Sequence, residues 1–310
     1  MHLQILDLDG SLAAQQASLR TVAPWQSVSS VDLRDLGPRL RLWSRDRTVR
    51  LARARIGAQA PDGPTLHLLG SGDFHHLAAV LMERAREPVT VVHIDNHPDW
   101  VRLAPRWHCG SWVNRALRLP RVERVVTLVP CSDDLVRPDL KGGNLPALAA
   151  GRIVLFPWEH EPTRVWRRVA DGPGRHWENG RIHWQNLVDA DRGTGLETAL
   201  DAIISLVTTD AVWLSIDKDV LDEREALTNW DQGRMPLSAL LRIIDAVGAS
   251  KRIIGADICG EFSPIAHTNW FKRWESRSDQ PQRRADAGML ARNEATNKEL
   301  LVTIEKSARC

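Results

Sequence analysis

The 310-residue chain contains no tyrosine and only four phenylalanines, although it carries thirteen tryptophans. Chemistry that needs a phenol hydroxyl as proton donor is therefore closed to it. Cysteine is scarce: Cys109, Cys131, Cys259 and Cys310 are widely scattered with no C-x-x-C pair, which argues against a disulfide frame or a zinc knuckle and for reduced thiols. No run of about eighteen apolar residues occurs, as a membrane span would need. The opening MHLQILDLDGS lacks the basic start and long apolar core of a signal peptide, so a cytoplasmic location is the expectation. Charge of one sign is not in excess either. A formal net charge of +2 neither demands nor excludes a polyanion, and no aromatic stacking platform for nucleic acid is evident. The expected partner is a small-molecule substrate, with no nucleic acid and no membrane; a homo-oligomer is compatible with all of this. What is present is ordinary: 43% hydrophobic and 26% charged residues, enough for one large α/β domain or two small ones.

The stretch Val91 to Trp100, VVHIDNHPDW, organises the rest. It begins as the apolar run of a buried parallel strand and ends in Asp95, His97 and Asp99. Side chains at i, i+2 and i+4 share one face of an extended backbone, so two carboxylates and an imidazole aim at one point. Charges at the end of a buried strand are costly unless paired or coordinated, which outlines a metal site.

A second stretch repeats the pattern. Ala211 to Asp222, AVWLSIDKDVLD, is an apolar strand ending in Asp217 and Asp219, with Asp222 three residues on. Two such strand ends facing each other would repel strongly without cations between them. Calcium-loop logic does not apply, because the glycine and closing glutamate of that loop are missing.

Other stretches are placed around these two. Leu3 to Leu8 reads as a first strand ending in D-x-D-G-S. That motif suits either an Asp-Gly turn or the nucleophile loop of a haloacid-dehalogenase-type phosphatase using Asp7, and nothing downstream completes the second. Pro38 to Ile56 is dense in arginine and reads as a solvated helix. Thr65 to Leu69 is a strand running through the glycines of GSGDFHHL, which puts His75 and His76 at a helix start beyond the strand's carboxyl end. Arg106, Trp107 and His108 lie in the loop after the central strand, followed by the helix-like CGSWVNRALRL. Strands are expected at Val122 to Val129 and Arg152 to Phe156, the latter bringing Glu159, His160 and Glu161 towards the same edge. Arg181 to Trp184 reads as a short strand and Thr194 to Val207 as a helix. Pro236 to Gly248 is a helix leading to the strand Lys251 to Cys259, beyond which stands Glu261. Ser276 to Arg284 reads as an exposed connection to a C-terminal helix.

The order GSGDFHHL, HIDNHPD, WHCGSW, SIDKDVLD and GADICGEF resembles the arginase and agmatinase (ureohydrolase) superfamily, over about Gly70 to Pro264. The resemblance implies a single three-layer α/β/α sandwich, residues 1–310, around an eight-stranded mainly parallel sheet, with 276–310 as linker and C-terminal helix. It also implies a binuclear manganese hydrolase, with two Mn2+ per chain, cleaving a guanidino, amidino or related C–N bond by metal-activated hydroxide. By the same resemblance Asp95 and Asp217 are bridging ligands, His75 and Asp99 complete one site, and His97 and Asp219 the other. His76 is the alternative to His75, because Phe74 is extra relative to the family motif. His108 resembles a proton-shuttle histidine, and Glu261 an acid that grips a guanidinium. Glu223 follows Asp222 where the family has proline, Gly260 is inserted before Glu261, and the loop that holds a substrate carboxylate has no clear counterpart, although Arg106 is placed to contact an acidic substrate. A metal-stabilised protein without turnover is the alternative. Deacetylases of this fold use one zinc and usually a tyrosine, which this chain lacks.

Overall fold

Alternate side chains of the apolar runs divide between two hydrophobic clusters. Val89 and Val91 enter one, Val92 and Ile94 the other; Leu6 separates in the same way from Leu3 and Ile5. Strands that bury both faces require cover on both sides, and this period-two division sets the layering. The computed structural model describes residues 1–102, 107–192, 195–264, 267 and 269–309.

Eight strands form the central sheet: β1 (His2–Asp7), β2 (Val28–Asp32), β3 (Thr65–Leu68), β4 (Val89–Ile94), β5 (Val122–Leu128), β6 (Ile153–Phe156), β7 (Ala211–Asp217) and β8 (Arg252–Cys259). Their order is β2-β1-β3-β8-β7-β4-β5-β6. Every pairing within the sheet is parallel, where the sequence led to a mainly parallel one.

Helices cover both faces: α1 (Asp46–Ala58), α2 (Ala78–Met82), α3 (Trp112–Ala116), α4 (Leu196–Ile204), α5 (Leu237–Ser250), α6 (Trp270–Asp279) and α7 (Met289–Ser307). Val49, Ala52 and Ile56 of α1 join α2 and α3 on one face. Leu240, Ile243 and Ile244 of α5 meet Leu300, Leu301 and Ile304 of α7 on the other. Arg181–Trp184 is indeed a strand, the middle one of a small antiparallel sheet beside the main one.

Two expectations are corrected. The arginine-dense segment is not a solvated helix throughout, because the long helix begins only at Asp46. Arg41 is buried, with Nη1 2.7 Å from Asp73 Oδ2 and Nη2 2.9 Å from Asp9 Oδ2. Nor is Ser276 to Arg284 an exposed connection throughout. Ser276 lies within α6, and Ser276 and Gln280 are buried, Gln280 Nε2 donating to Asp73 Oδ1 at 2.6 Å.

The strand order places four carboxyl ends side by side. β3 leads through Gly70 to His75, β4 runs into Asp95, β7 ends at Asp217 and β8 at Cys259. In parallel α/β sheets ligands bind beyond these ends, so the fold brings the two acid-bearing stretches to one place.

Candidate metal centre

His75 is delivered by a short 3-10 helix, Gly72–Leu77, that opens where β3 stops. Its Nδ1 stands 3.1 Å from Asp95 Oδ2, 3.3 Å from Asp99 Oδ2 and 3.8 Å from Asp217 Oδ2. Although buried, this nitrogen has no hydrogen-bond partner. On the other side of Asp95, His97 Nδ1 lies 3.5 Å from Asp95 Oδ1 and 3.0 Å from Asp219 Oδ2. Asp95 thus presents Oδ1 to His97 and Oδ2 to both His75 and His93, the latter at 2.9 Å, a histidine not singled out in the sequence. Donor atoms around a divalent ion at about 2.1 Å stand about 3 Å apart, so the spacing in these groups of residues is one that could hold a divalent cation.

The surrounding groups hold these side chains in place. His75 Nε2 is 2.9 Å from Ser215 Oγ, which donates to Asp257 Oδ1 at 2.8 Å. His97 Nε2 is 2.8 Å from Asp231 Oδ1. Such outer carboxylates fix the tautomer of a ligating imidazole and leave the other ring nitrogen free for the ion. Trp112 Nε1 donates to Asp99 Oδ2 at 2.6 Å, and Asp99 itself adopts φ 46°, an uncommon conformation for a residue with a side chain. Two glycines press on Asp217. A Cβ at Gly72 would lie 2.5 Å from Asp217 Oδ2, and Gly260, at φ +90°, would bring one against Oδ1.

Electrostatics favour cations here. Burial and the charge of Asp95 push the Asp99 carboxyl up to about 7. Burial likewise raises Asp219 well above the carboxylate range, with Asp217 and Asp95 adding to it, and raises Asp217 with Asp95 adding to it. Asp95 goes the other way: burial opposes its charge, but His75, His93 and His97 hold it well below the usual value. Positive charge placed between the carboxylates would relieve the repulsion that the three raised groups register.

A cavity of about 750 Å³ opens onto these residues. His108 lines it, positioned by the pairing of Trp107–His108 with Trp43–Ser44. Its Nδ1 accepts from Gly110 N at 2.9 Å and its Nε2 is 2.9 Å from Glu275 Oε1. Further acids line the same space: Asp133, Asp134, Asp231, Glu275 and Asp279, with Lys141 2.5 Å from Asp133. Asp231 and Glu275 were not singled out in the sequence.

Several expected residues are not brought to the cavity. Glu261, read as the acid that grips substrate, is buried behind the centre and does not line the cavity. Its Oε1 is ion-paired with Lys218 Nζ and accepts from Asn297 Nδ2 at 2.7 Å, while Oε2 accepts from Asn293 and Gln15, each at 3.2 Å. The positive-φ turn at Gly260 lies between the strand end and this acid. His76 is buried away from the donors, which leaves His75 as the candidate ligand. Glu159, His160 and Glu161 stay at the surface beyond β6. Asp7 accepts from Gly10 N at 2.9 Å, as an Asp-Gly turn should, and Asp9 is spent on Arg41, so the phosphatase loop has no counterpart. Arg106 lies outside the described residues.

A parallel α/β sheet thus brings acids and imidazoles that could hold a metal ion together beyond adjacent strand ends. No family model matches the chain. An uncharacterised protein of Thermotoga maritima is 28% identical over 197 residues, 64% of this chain and 58% of that protein's length. Among solved structures, the proclavaminate amidino hydrolase of Streptomyces clavuligerus superposes with TM-score 0.61 at 15% identity, over 99% of this chain and 92% of that one. An arginase from Medicago truncatula gives 0.58 at 14% identity, over 99% and 86%. A formimidoylglutamase from Bacillus subtilis gives 0.56 at 14%, over 98% and 86%. The chain has the arginase/agmatinase, or ureohydrolase, fold in a form divergent in sequence.

Proposed function

We propose that the protein is a hydrolase with two divalent cations, acting on a guanidino, amidino or related C–N bond of a small cationic molecule. The observation that carries this reading is the convergence of His75, Asp99 and Asp217 on one side of Asp95 and of His97 and Asp219 on the other. Proteins of this fold named as amidino hydrolase, arginase and formimidoylglutamase support it. The oxygen-rich donor set suits manganese among first-row ions. When bound, two such cations supply Lewis acidity and activate water at neutral pH.

The chain's own residues set the rest. On this reading His108, which lines the cavity and is hydrogen-bonded to Glu275, carries a proton between cavity and leaving group. With Glu261 turned away, the acids left to receive a planar cation are Asp231, Glu275 and Asp279. Among the described lining residues, Lys141 is the one lysine or arginine against these and the two acids beside it, so an anionic substrate would be repelled. We take the chain as one domain acting in the cytoplasm, where its free Cys109, Cys131 and Cys259 would remain reduced. Among the described residues no helix is long and apolar enough to cross a membrane.

The test is elemental analysis of the purified protein followed by a screen of guanidino and amidino compounds for urea or amine release. Two cations per chain with turnover, both lost in Asp217→Asn, are expected. Cations without turnover on any cationic compound would leave a metal-stabilised protein with no hydrolase activity.

A further inference from the structure

Cys259 ends β8 directly beside Asp217, its register partner in β7. The thiol is 1% exposed, and Sγ lies 3.1 Å from Asp217 Oδ2. With His75 these residues form a group whose donor atoms all lie within 4.8 Å of one another. Taken alone, the contact is a buried thiol donating to a carboxylate. His75 adds a second observation: its Nδ1, in a side chain 1% exposed, makes no hydrogen bond although Asp95 Oδ2 stands 3.1 Å away, and it faces the same Asp217 oxygen at 3.8 Å. The spacing adds a third. An ion about 2.3 Å from sulfur and about 2.1 Å from oxygen separates the two donors by about 3.1 Å at a right angle and about 3.6 Å in a tetrahedron.

We infer that Cys259 is a thiolate ligand of the cation held by His75 and Asp217, and that this position takes a borderline-soft ion such as zinc, cobalt or ferrous iron in preference to manganese. The inference rests on the two-cation reading above. Ligation exchanges the S–H proton for the ion; the proton leaves to solvent and no electrons are transferred. Among the described residues the companion position has oxygen donors and the imidazole of His97 but no thiol, so the two ions need not be the same element. The His97 position keeps the preference for a hard cation, and the centre becomes chemically asymmetric.

The experiment uses the full chain loaded with cobalt(II) after chelator treatment. A sulfur-to-cobalt charge-transfer absorption is expected, lost in Cys259→Ser and retained in Cys131→Ser. X-ray absorption at the cobalt edge of the unaltered protein should show a sulfur scatterer at about 2.3 Å. In competition dialysis the zinc-over-manganese preference of one site should fall about 10- to 100-fold in Cys259→Ser. Two bound cobalt ions with no sulfur scatterer overturn the inference and leave the proposed function intact. If no cation binds at all, the proposed function fails and takes this inference with it. Should Cys259→Ser not fold, the absorption edge of the unaltered protein decides the matter alone.

Discussion

Asp217 is touched from every side: by the backbone N–H of Asp219 at 3.0 Å, by the Cys259 thiol, and by two glycines that leave room for its carboxylate and for nothing larger. Gly260→Ala should therefore disturb the centre through both its positive φ and its contact with Asp217, lowering cation occupancy more than global stability; metal analysis against chemical denaturation separates the two. Asp231 offers a complementary test. Asp231→Asn should weaken binding of the cation beside His97 by about 10- to 100-fold while leaving the fold unchanged, read by dialysis with the metal alone. The six candidate donors were legible because acids and imidazoles cluster just past apolar runs and a glycine turn, although β4 stops at Ile94 and, of the six, Asp217 alone lies within a strand. Asp231 was not, since it sits in a loop segment, TNWDQG, with no periodicity to give it a direction. Glu261 was misread because a single inserted glycine at a strand end turns the next side chain to the opposite side.

At the scale of elements, α7 reaches the site through polar side chains. Asn293 and Asn297 hold Glu261, which holds Lys218, the residue between Asp217 and Asp219. Lys218 is fully buried, so removing its partner leaves an unpaired charge in the interior. Glu261→Ala should cost about 3–5 kcal/mol of stability, measured by denaturant unfolding. A large rise in KM with unchanged stability would instead return Glu261 to the role of substrate anchor. Helix α6 explains why its region reads as an exposed connection in the sequence. Its buried face is polar, with Lys272 Nζ donating to Arg41 O at 2.6 Å and Ser276 Oγ to Gln280, while Trp270 and Trp274 face outward. Hydrophobic periodicity reports which side of a helix is apolar, and here that side is not the inner one. Seven of the eight sheet strands, by contrast, carry apolar runs and were found within a residue or two of their limits; β2, whose VSSVD is mostly polar, was missed.

Across the whole molecule, the cluster of buried acids couples stability to pH. Asp99 is raised to about 7 and Asp257 to about 6, burial being the first cause of each. A carboxyl with a raised native pKa favours the folded state while protonated, so its contribution is complete at low pH and lost as pH climbs through the raised value. Burial opposes charge on His97, yet Asp219 and Asp231 hold its pKa above the ordinary value, which gives the same direction. The chelator-treated protein should therefore melt at a lower temperature at pH of about 8 than at about 5.5, and divalent cations should restore most of the difference. Thermal melts at both pH values, with and without manganese, check this.

The donors come from distant parts of the chain: His97 and Asp219 are 122 positions apart, and the strands that carry them become neighbours only in the finished sheet. No short fragment could assemble the centre, and an emerging nascent chain would have to be synthesised past Asp219 before it could trap an ion tightly. Ion capture during refolding should thus mark the moment when β7 docks against β4, a spectroscopic clock for one long-range pairing in the middle of the sheet.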